Sequence, residues 1–237
     1  MQRITNLLFP SLCPTGHRKK YLQQILVLFT LYLFGNISTA STTKFWSLLT
    51  LNGNYDNFLY TLEPQLRLRS TSTLFNQFLI NGSGGYQISS EWQFWLGQAL
   101  TTTSQDAEPT DLIEYRFWEQ LVWQHPFAKF EIRSRTRLEQ RKSFDFPDWE
   151  NRFRERIWFN FPVTEIISLD LSNEIMLNLN QVQWINTNTW DQNRLYFGIS
   201  QQISASTSLS AGYMNQWIFT SPTQSDKVFL INLQIRL

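Results

Sequence analysis

The chain has 237 residues, of which 42% are apolar and 16% are aromatic, so it carries too much apolar surface to remain disordered. Twenty basic residues nearly balance nineteen acidic ones, which excludes a strongly basic nucleic-acid binder. One cysteine and two histidines exclude a disulfide framework and provide no Cys or His cluster for a metal ion.

Residues 1–40 have the composition of a secretory signal peptide. Four basic residues and no acidic ones come first, an apolar run follows at 21–34, and Ser38 and Ala40 occupy positions −3 and −1 of a cleavage site. The apolar run is short for a membrane-spanning helix, although an N-terminal anchor is the alternative. We predict cleavage near Ala40, which removes the only cysteine and leaves 41–237 as a single domain with sixteen basic and nineteen acidic residues.

The segment 129–141 predicts a strand with one charged face. Every second residue is charged, whereas the residues between them include Phe130, Ile132 and Leu138. Because side chains alternate across a strand, charged and largely apolar residues separate onto opposite faces. The charged residues are Lys129, Glu131, Arg133, Arg135, Arg137, Glu139 and Arg141.

The same alternation recurs along the rest of the chain. The segments are 58–69, 92–102, 113–123, 150–161, 167–177, 192–200, 207–219 and 229–237. Most are about ten to thirteen residues long, which exceeds the usual globular strand and suits a tilted membrane crossing. A membrane barrel turns apolar faces to lipid and charged faces to a polar lumen. We therefore predict an all-β fold, a transmembrane antiparallel up-and-down β-barrel of ten to twelve strands.

The connections predict how the barrel is oriented. Short links near 88–90, 125–127, 162–165 and 204–206 alternate with longer polar links near 103–111, 143–149, 179–189 and 220–226. Bacterial outer-membrane barrels place short turns in the periplasm, so the C-terminus is predicted to be periplasmic. Such barrels have an even number of strands, so we expect ten or twelve. The apolar stretch Phe45 to Leu51 would be an eleventh, and we expect it outside the wall or beside an undetected partner.

The predicted lumen carries an ionic network. Its predicted members are Glu63, Arg67, Glu114, Arg116, Lys129, Glu131, Arg133, Arg135, Arg137, Glu139, Arg141, Arg152, Arg154, Arg156, Asp170, Glu174 and Arg194. Long charged side chains fill much of a small barrel, which excludes a wide diffusion pore. The leading prediction is a narrow or gated passage for small anionic solutes. The alternative is a non-conducting structural, adhesion or assembly-partner barrel whose ion pairs are only packing.

The charged runs also support a resemblance to a known family. They are Glu114–Gln120, Arg133–Arg141, Arg152–Arg156, Asn173–Glu174, Asp191–Arg194 and Gly212–Tyr213. On these runs the chain resembles DUF2490, a bacterial family of uncharacterised outer-membrane barrels, over nearly the whole mature chain. The resemblance implies a barrel and an outer-membrane location, but no reaction or ligand.

No enzyme activity, metal or cofactor is predicted. His125 lies beside Pro126 in a short link, which suits a turn or interfacial role better than that of a general base. Arginines two residues away hold carboxylates such as Glu131 and Glu139 ionised, which disfavours proton transfer.

Expected partners are the lipid bilayer, the barrel insertion machinery and a small solute, but not nucleic acid, and the oligomeric state is open. The aromatic residues predicted to form interface girdles are Trp92, Trp123, Trp184, Trp190 and Trp217.

Overall fold

The fold is all-β in the computed structural model, which describes residues 42–70, 75–104, 111–185 and 188–237. Eleven strands form one closed barrel. Across these ranges no helix is long and apolar enough to span a bilayer. The predicted signal peptide, 1–40, lies outside the described residues, so its prediction stays untested.

Each strand is twelve to fifteen residues long and pairs with the strands before and after it. The strands are β1 Thr43–Tyr55, β2 Phe58–Arg69, β3 Phe75–Gln87, β4 Trp92–Thr103, β5 Leu112–Pro126, β6 Glu131–Ser143, β7 Trp149–Pro162, β8 Ile167–Asn178, β9 Trp190–Ser204, β10 Thr207–Ile218 and β11 Gln224–Arg236. The wall of the barrel therefore consists of long strands that pair with their neighbours along the chain.

The two ends of the barrel differ in their connections. At one end, called the turn end, two to four residues join consecutive strands, whereas at the other, called the loop end, five to eleven residues do so. Asp56, in the turn between β1 and β2, has φ 51°, a left-handed conformation that is common in two-residue hairpins. The predicted alternation of short and long links is thus confirmed, and β11 ends at the turn end.

The expected even strand number and fully antiparallel wall are wrong. The stretch Phe45 to Leu51 is neither outside the wall nor in need of an undetected partner, because it forms the middle of β1. β1 pairs with β2 in antiparallel fashion and with β11 in parallel, for example at Phe45 with Phe229. With eleven strands the first and last run in the same direction, so closure requires one parallel pair.

The two faces of the wall have the predicted chemistry. Large apolar residues such as Leu62, Phe117 and Ile157 are about 40% exposed on the outer face. Most inward positions are polar, and the buried apolar residues include a cluster of Trp46, Met214 and Val228 between β1, β10 and β11. The lumen therefore has a charged side formed by β5 to β9 and a smaller apolar side around the β1–β11 pair.

Candidate functional site

The charged side of the lumen contains a continuous cluster of ion pairs near the loop end, which we call the loop-end network. Its members are Glu114, Arg116, Glu139, Arg141, Glu150, Arg152, Arg154, Glu174 and Asp191. They come from five consecutive strands, β5 to β9, and all except Asp191 lie at the alternate positions that point inward. The structure therefore brings together seven of the residues predicted from the sequence.

Glu139 is the centre of the loop-end network. Its carboxylate accepts hydrogen bonds from Arg152 at 2.5 Å and 3.0 Å and from Arg154 at 2.6 Å. Arg137 Nη1 lies 3.4 Å from the same carboxylate. The Glu139 side chain is only 1% exposed, so these arginines supply the compensation that a buried carboxylate requires.

A second group of ion pairs forms the part of the network that lies next to the loops. Arg141 donates to both oxygens of Glu114 at 2.5 Å and 3.0 Å and to Glu150 at 3.1 Å. The ring of Trp184, in the connection between β8 and β9, lies 5.1 Å from the Arg141 guanidinium. Because Glu114, Arg141 and Glu150 are all buried, this end of the charged side is packed.

Two members of the loop-end network were not predicted. Glu150 is fully buried and lies on the charged face of β7, so the period-two pattern could have identified it. Asp191 has the opposite parity to Arg194 on β9, but it lies at an irregularity in pairing, where Leu177 pairs with Trp190 and Met176 with Gln192. This bulge turns Asp191 inward, where it accepts from Arg152 at 3.1 Å. Strict alternation cannot reveal such a residue.

Strand register places like charges directly opposite each other in the middle of the lumen. Arg137 pairs with Arg154, and Arg135 pairs with Arg156. Directly opposed like charges are destabilising unless a counter-charge lies between them. Glu139 contacts both members of the first pair, whereas in the second pair only Arg135 contacts a carboxylate, that of Glu174.

A cavity of 690 Å³ runs along most of the lumen, from Arg236 at the turn end to Arg67 and Arg116 in the loop half. Nine arginines and four carboxylates line it, so positive charge is in excess. The arginines are Arg67, Arg116, Arg133, Arg135, Arg137, Arg154, Arg156, Arg194 and Arg236, and the carboxylates are Glu63, Glu139, Asp170 and Glu174. This cavity contains most of the remaining predicted residues.

Several cavity arginines bind neutral groups instead of carboxylates. Arg67 donates to Gln65 and Gln77 and lies 3.8 Å from the ring centroid of Trp46. Arg156 donates to the hydroxyl of Ser172 at 3.0 Å and 3.3 Å. Among the described residues neither arginine has a carboxylate within 4.0 Å.

Arg137 and Trp118 narrow the lumen on the β5–β6 side. The Arg137 guanidinium lies 3.8 Å from the centroid of the buried Trp118 ring and donates to Gln120 at 2.6 Å. Trp118 in turn covers Gly97 on β4, where a Cβ would lie only 2.1 Å from the ring. Glycine therefore allows the indole to lie flat against the wall beneath Arg137.

Lys129 and Glu131 lie outside the buried network. Lys129 is exposed in the turn that follows Pro126, and β6 begins only at Glu131. Glu131 lines a second cavity, of 550 Å³, at the turn end. Arg236 lines this cavity and the 690 Å³ cavity, so the two adjoin.

His125 belongs to an outward-facing aromatic cluster at the turn end. Its Nδ1 lies 2.7 Å from Oε1 of Glu91, and its ring lies between Trp123 and Phe127. Hydrogen bonds from His125 and from Trp123 Nε1 lower the pKa of the Glu91 carboxyl. This geometry agrees with a turn role, while the prediction that the chain is not an enzyme stays untested.

The outer wall departs from a simple apolar belt at two carboxylates. Glu119 and Glu155 lie at the middle of β5 and β7 with outward parity. Glu155 accepts from Ser134 at 2.5 Å and Thr136 at 2.6 Å, and Glu119 accepts from Gln140 at 3.3 Å. The alternation rule would have identified both carboxylates as outward-facing.

The five girdle tryptophans do not share one environment. Trp92 and Trp123 lie on the outer face near the turn end, and Trp190 is 53% exposed at the loop end. Trp217 is only 7% exposed, and Trp184 lies over Arg141. Three of the five positions therefore suit an exposed girdle.

Comparison with known proteins provides a family. The family described as "Protein of unknown function (DUF2490)" matches residues 43–227, which span most of the barrel. An uncharacterized protein of Methylorubrum extorquens is 25% identical to this chain, and the alignment covers 100% of both proteins. The matched region contains the loop-end network and most of the residues that line the cavity. The chain therefore belongs to the DUF2490 family, a family of unknown function with a β-barrel fold.

Proposed function

We propose that the protein is an outer-membrane β-barrel that admits small anions to its lumen from the turn end and passes them only when the loop-end network opens. The turn end would face the periplasm and the loop end the outside. The observation that carries this proposal is the uneven compensation of charge. Carboxylates contact every arginine of the loop-end network, whereas seven arginines and only two carboxylates line the 690 Å³ cavity without belonging to that network.

The outer wall supports the proposed membrane location. Exposed apolar side chains surround the barrel, for example Leu62, Leu96, Ile157, Phe197 and Ile231, each at least 40% exposed. Soluble monomers rarely expose a contiguous apolar surface of this extent. Export through a signal peptide cleaved near Ala40 and insertion by the barrel assembly machinery complete the proposal.

A non-conducting structural or assembly barrel is the second candidate. The observation that favours it is the dense packing of the loop-end network, in which Glu139 is 1% exposed and Glu150 is 0% exposed. If that network never opens, the cavity is a closed-ended pocket. Conductance separates the two candidates because only the first predicts current.

Fractionation tests the location. The mature protein should start near Ser41, sediment with outer membranes and change its gel mobility after boiling, as folded barrels do. Recovery as a soluble periplasmic protein with heat-independent mobility would contradict the proposal.

Planar-bilayer recording tests the passage. The parent should show brief, anion-preferring openings, and Asp191→Asn should open more often because it removes one carboxylate from Arg152. Arg133→Glu should reduce or reverse the anion preference, whereas Lys129→Glu, the same charge change in an exposed turn, should not. Silence from the assembled parent and from Asp191→Asn would favour the non-conducting barrel.

A further inference from the structure

We infer that Arg133, Arg156 and Ser172 form a binding site for a small oxyanion, the phosphate or carboxylate group of a solute, in the turn half of the lumen. This site lies in the lumen through which small anions are proposed to pass, so the inference rests on the proposed function. It adds the chemical class of the anion. Arginine suits this class because its planar guanidinium donates two parallel hydrogen bonds to one oxyanion.

Arg133 supplies the first group of donors. No described carboxylate lies within 4.0 Å of it, and its buried Nε has no acceptor within the protein. Glu63 and Glu131 influence it only through longer-range electrostatic attraction. Buried guanidinium N–H groups normally have acceptors, so this arrangement favours a bound anion.

Arg156 supplies the second group of donors. Its Nε and Nη2 both donate to Ser172 Oγ, which leaves the Nη1 donors available. Register places Arg156 opposite Glu174, but the carboxylate of Glu174 contacts Arg135, Arg154 and Arg194 instead. An anion beside Arg156 would offset its repulsion with Arg135, since Arg135 is the only member of this opposed pair that contacts a described carboxylate.

Trp158 and Ser172 bring the two arginines to one place. The Arg133 and Arg156 guanidinium carbons lie 5.2 Å and 4.2 Å from the centroid of the same Trp158 ring, and that of Arg135, which is paired with Glu174, also lies 5.2 Å from it. Ser172 is the cross-strand neighbour of Trp158, and because its oxygen accepts from Arg156 its hydroxyl hydrogen can donate to an anion. The guanidinium groups of Arg133 and Arg156, which have no described carboxylate partner, and the Ser172 hydroxyl thus border the same ring.

The nearby carboxylates are engaged elsewhere. Asp170 accepts hydrogen bonds from Asn160 at 2.7 Å and from Ser200, and Glu63 accepts from Asn81 at 2.6 Å. Neither forms an ion pair with Arg133 or Arg156 among the described contacts. A volume of 690 Å³ accommodates a small organic phosphate or carboxylate as well as the inorganic ion.

Equilibrium dialysis of the refolded full barrel in detergent tests the site, with inorganic phosphate and citrate as separate probes and chloride as the supporting anion. At least one probe should bind saturably, with Kd below about 1 mM, and the tighter probe identifies the phosphate or the carboxylate class. Arg133→Gln and Arg156→Gln should each weaken binding about tenfold or more.

Arg236→Gln is the matched control, because Arg236 also lines the cavity but lies at the turn end, away from Trp158. It should change affinity less than about threefold. Equal weakening by all three variants, or no saturable binding by an assembled parent, would overturn the site. Heat-dependent gel mobility verifies assembly of each variant.

The two proposals fail in different ways. A barrel that fractionates with outer membranes and conducts anions but does not bind either probe refutes the oxyanion site alone. A barrel that binds phosphate or citrate through Arg133 and Arg156 but is recovered outside the outer membrane refutes the proposed function and supports the site.

Discussion

Replacing Glu139 with Gln should destabilise the barrel markedly, because Glu139 is the centre of the loop-end network. The substitution keeps the shape of the side chain but removes a carboxylate that contacts Arg137, Arg152 and Arg154. Loss of one member of a buried ion pair typically costs about 3–5 kcal/mol, because the partner charge stays buried without compensation. The physical cause is therefore excess positive charge rather than lost volume.

The structure places the expected cost of Glu139→Gln at the lower end of that range. Arg152 keeps Asp191 at 3.1 Å, Arg154 keeps Glu174 at 2.6 Å and Arg137 keeps Gln120. Each arginine thus retains one acceptor, and we expect a loss of about 3 kcal/mol in the free energy of unfolding. Urea titration of the barrel in lipid vesicles, followed by tryptophan fluorescence and gel mobility, measures it.

Glu63→Gln provides the matched control. Glu63 lines the cavity, but its single described hydrogen bond comes from Asn81 and no described arginine lies within 4.0 Å. Because Gln can also accept that bond, the expected loss is below about 1 kcal/mol. Equal losses of stability in Glu139→Gln and Glu63→Gln, or a larger loss in Glu63→Gln, would contradict the central role of Glu139.

Three further substitutions test the walls of the barrel. Ile157→Arg should lower the free energy of unfolding by about 2–4 kcal/mol, because Ile157 faces outward near the middle of β7. Ile132→Arg, next to the turn end, should lower it by only about 0–1 kcal/mol. Equal losses would contradict the proposed lipid face. Glu155→Gln should stabilise the barrel in vesicles by about 1 kcal/mol, because it removes a charge from the middle of the wall and keeps an acceptor for Ser134 and Thr136. A loss of stability would show that the carboxylate is needed. Gly97→Ala should lower the free energy of unfolding by about 1–3 kcal/mol and displace Trp118. Gly84→Ala should be nearly neutral, because no atom lies within 4 Å of the added Cβ. Equal urea midpoints for the two variants would refute the close packing of Trp118 on Gly97.

The period-two pattern predicted most of the fold because it reports a local property. Each inward arginine, such as Arg135 or Arg154, alternates with outward residues such as Thr136 or Phe153, and this alternation needs no knowledge of the partner strand. The lengths of the links between strands are likewise a local property of the sequence. The wall, its two faces and its two ends were therefore predictable from the residues alone.

Pairing between strands was not predictable in the same way. The contacts of Glu174 with Arg135, Arg154 and Arg194 depend on the register of four strands, which the sequence pattern does not specify. Asp191 required a bulge, and Lys129 was placed in the strand because the alternation continues into the turn. Sequence thus predicted the composition of the lumen, while the selection of ion pairs and the position of the excess arginines required the structure.

The odd strand number makes the β1–β11 pair the distinctive part of the barrel. Parallel pairing is slightly less stable per residue than antiparallel pairing, so this seam needs additional contacts. It has them on both faces, because Lys44 forms an ion pair with Asp226 at 2.7 Å inside and Phe45 stacks on Phe229 at 5.5 Å outside.

The seam also explains why β1 was misjudged from the sequence. Inside the barrel, Trp46 packs against Val228, with Met214 adjoining them, so the inward face of β1 is partly apolar and lacks the column of charges seen on β6. A strand with apolar residues on both faces has weak alternation, and the expectation of an even number then favoured excluding it. The apolar side of the lumen stabilises closure of the barrel, and the proposed oxyanion site lies on β6 to β8, across the barrel from this seam.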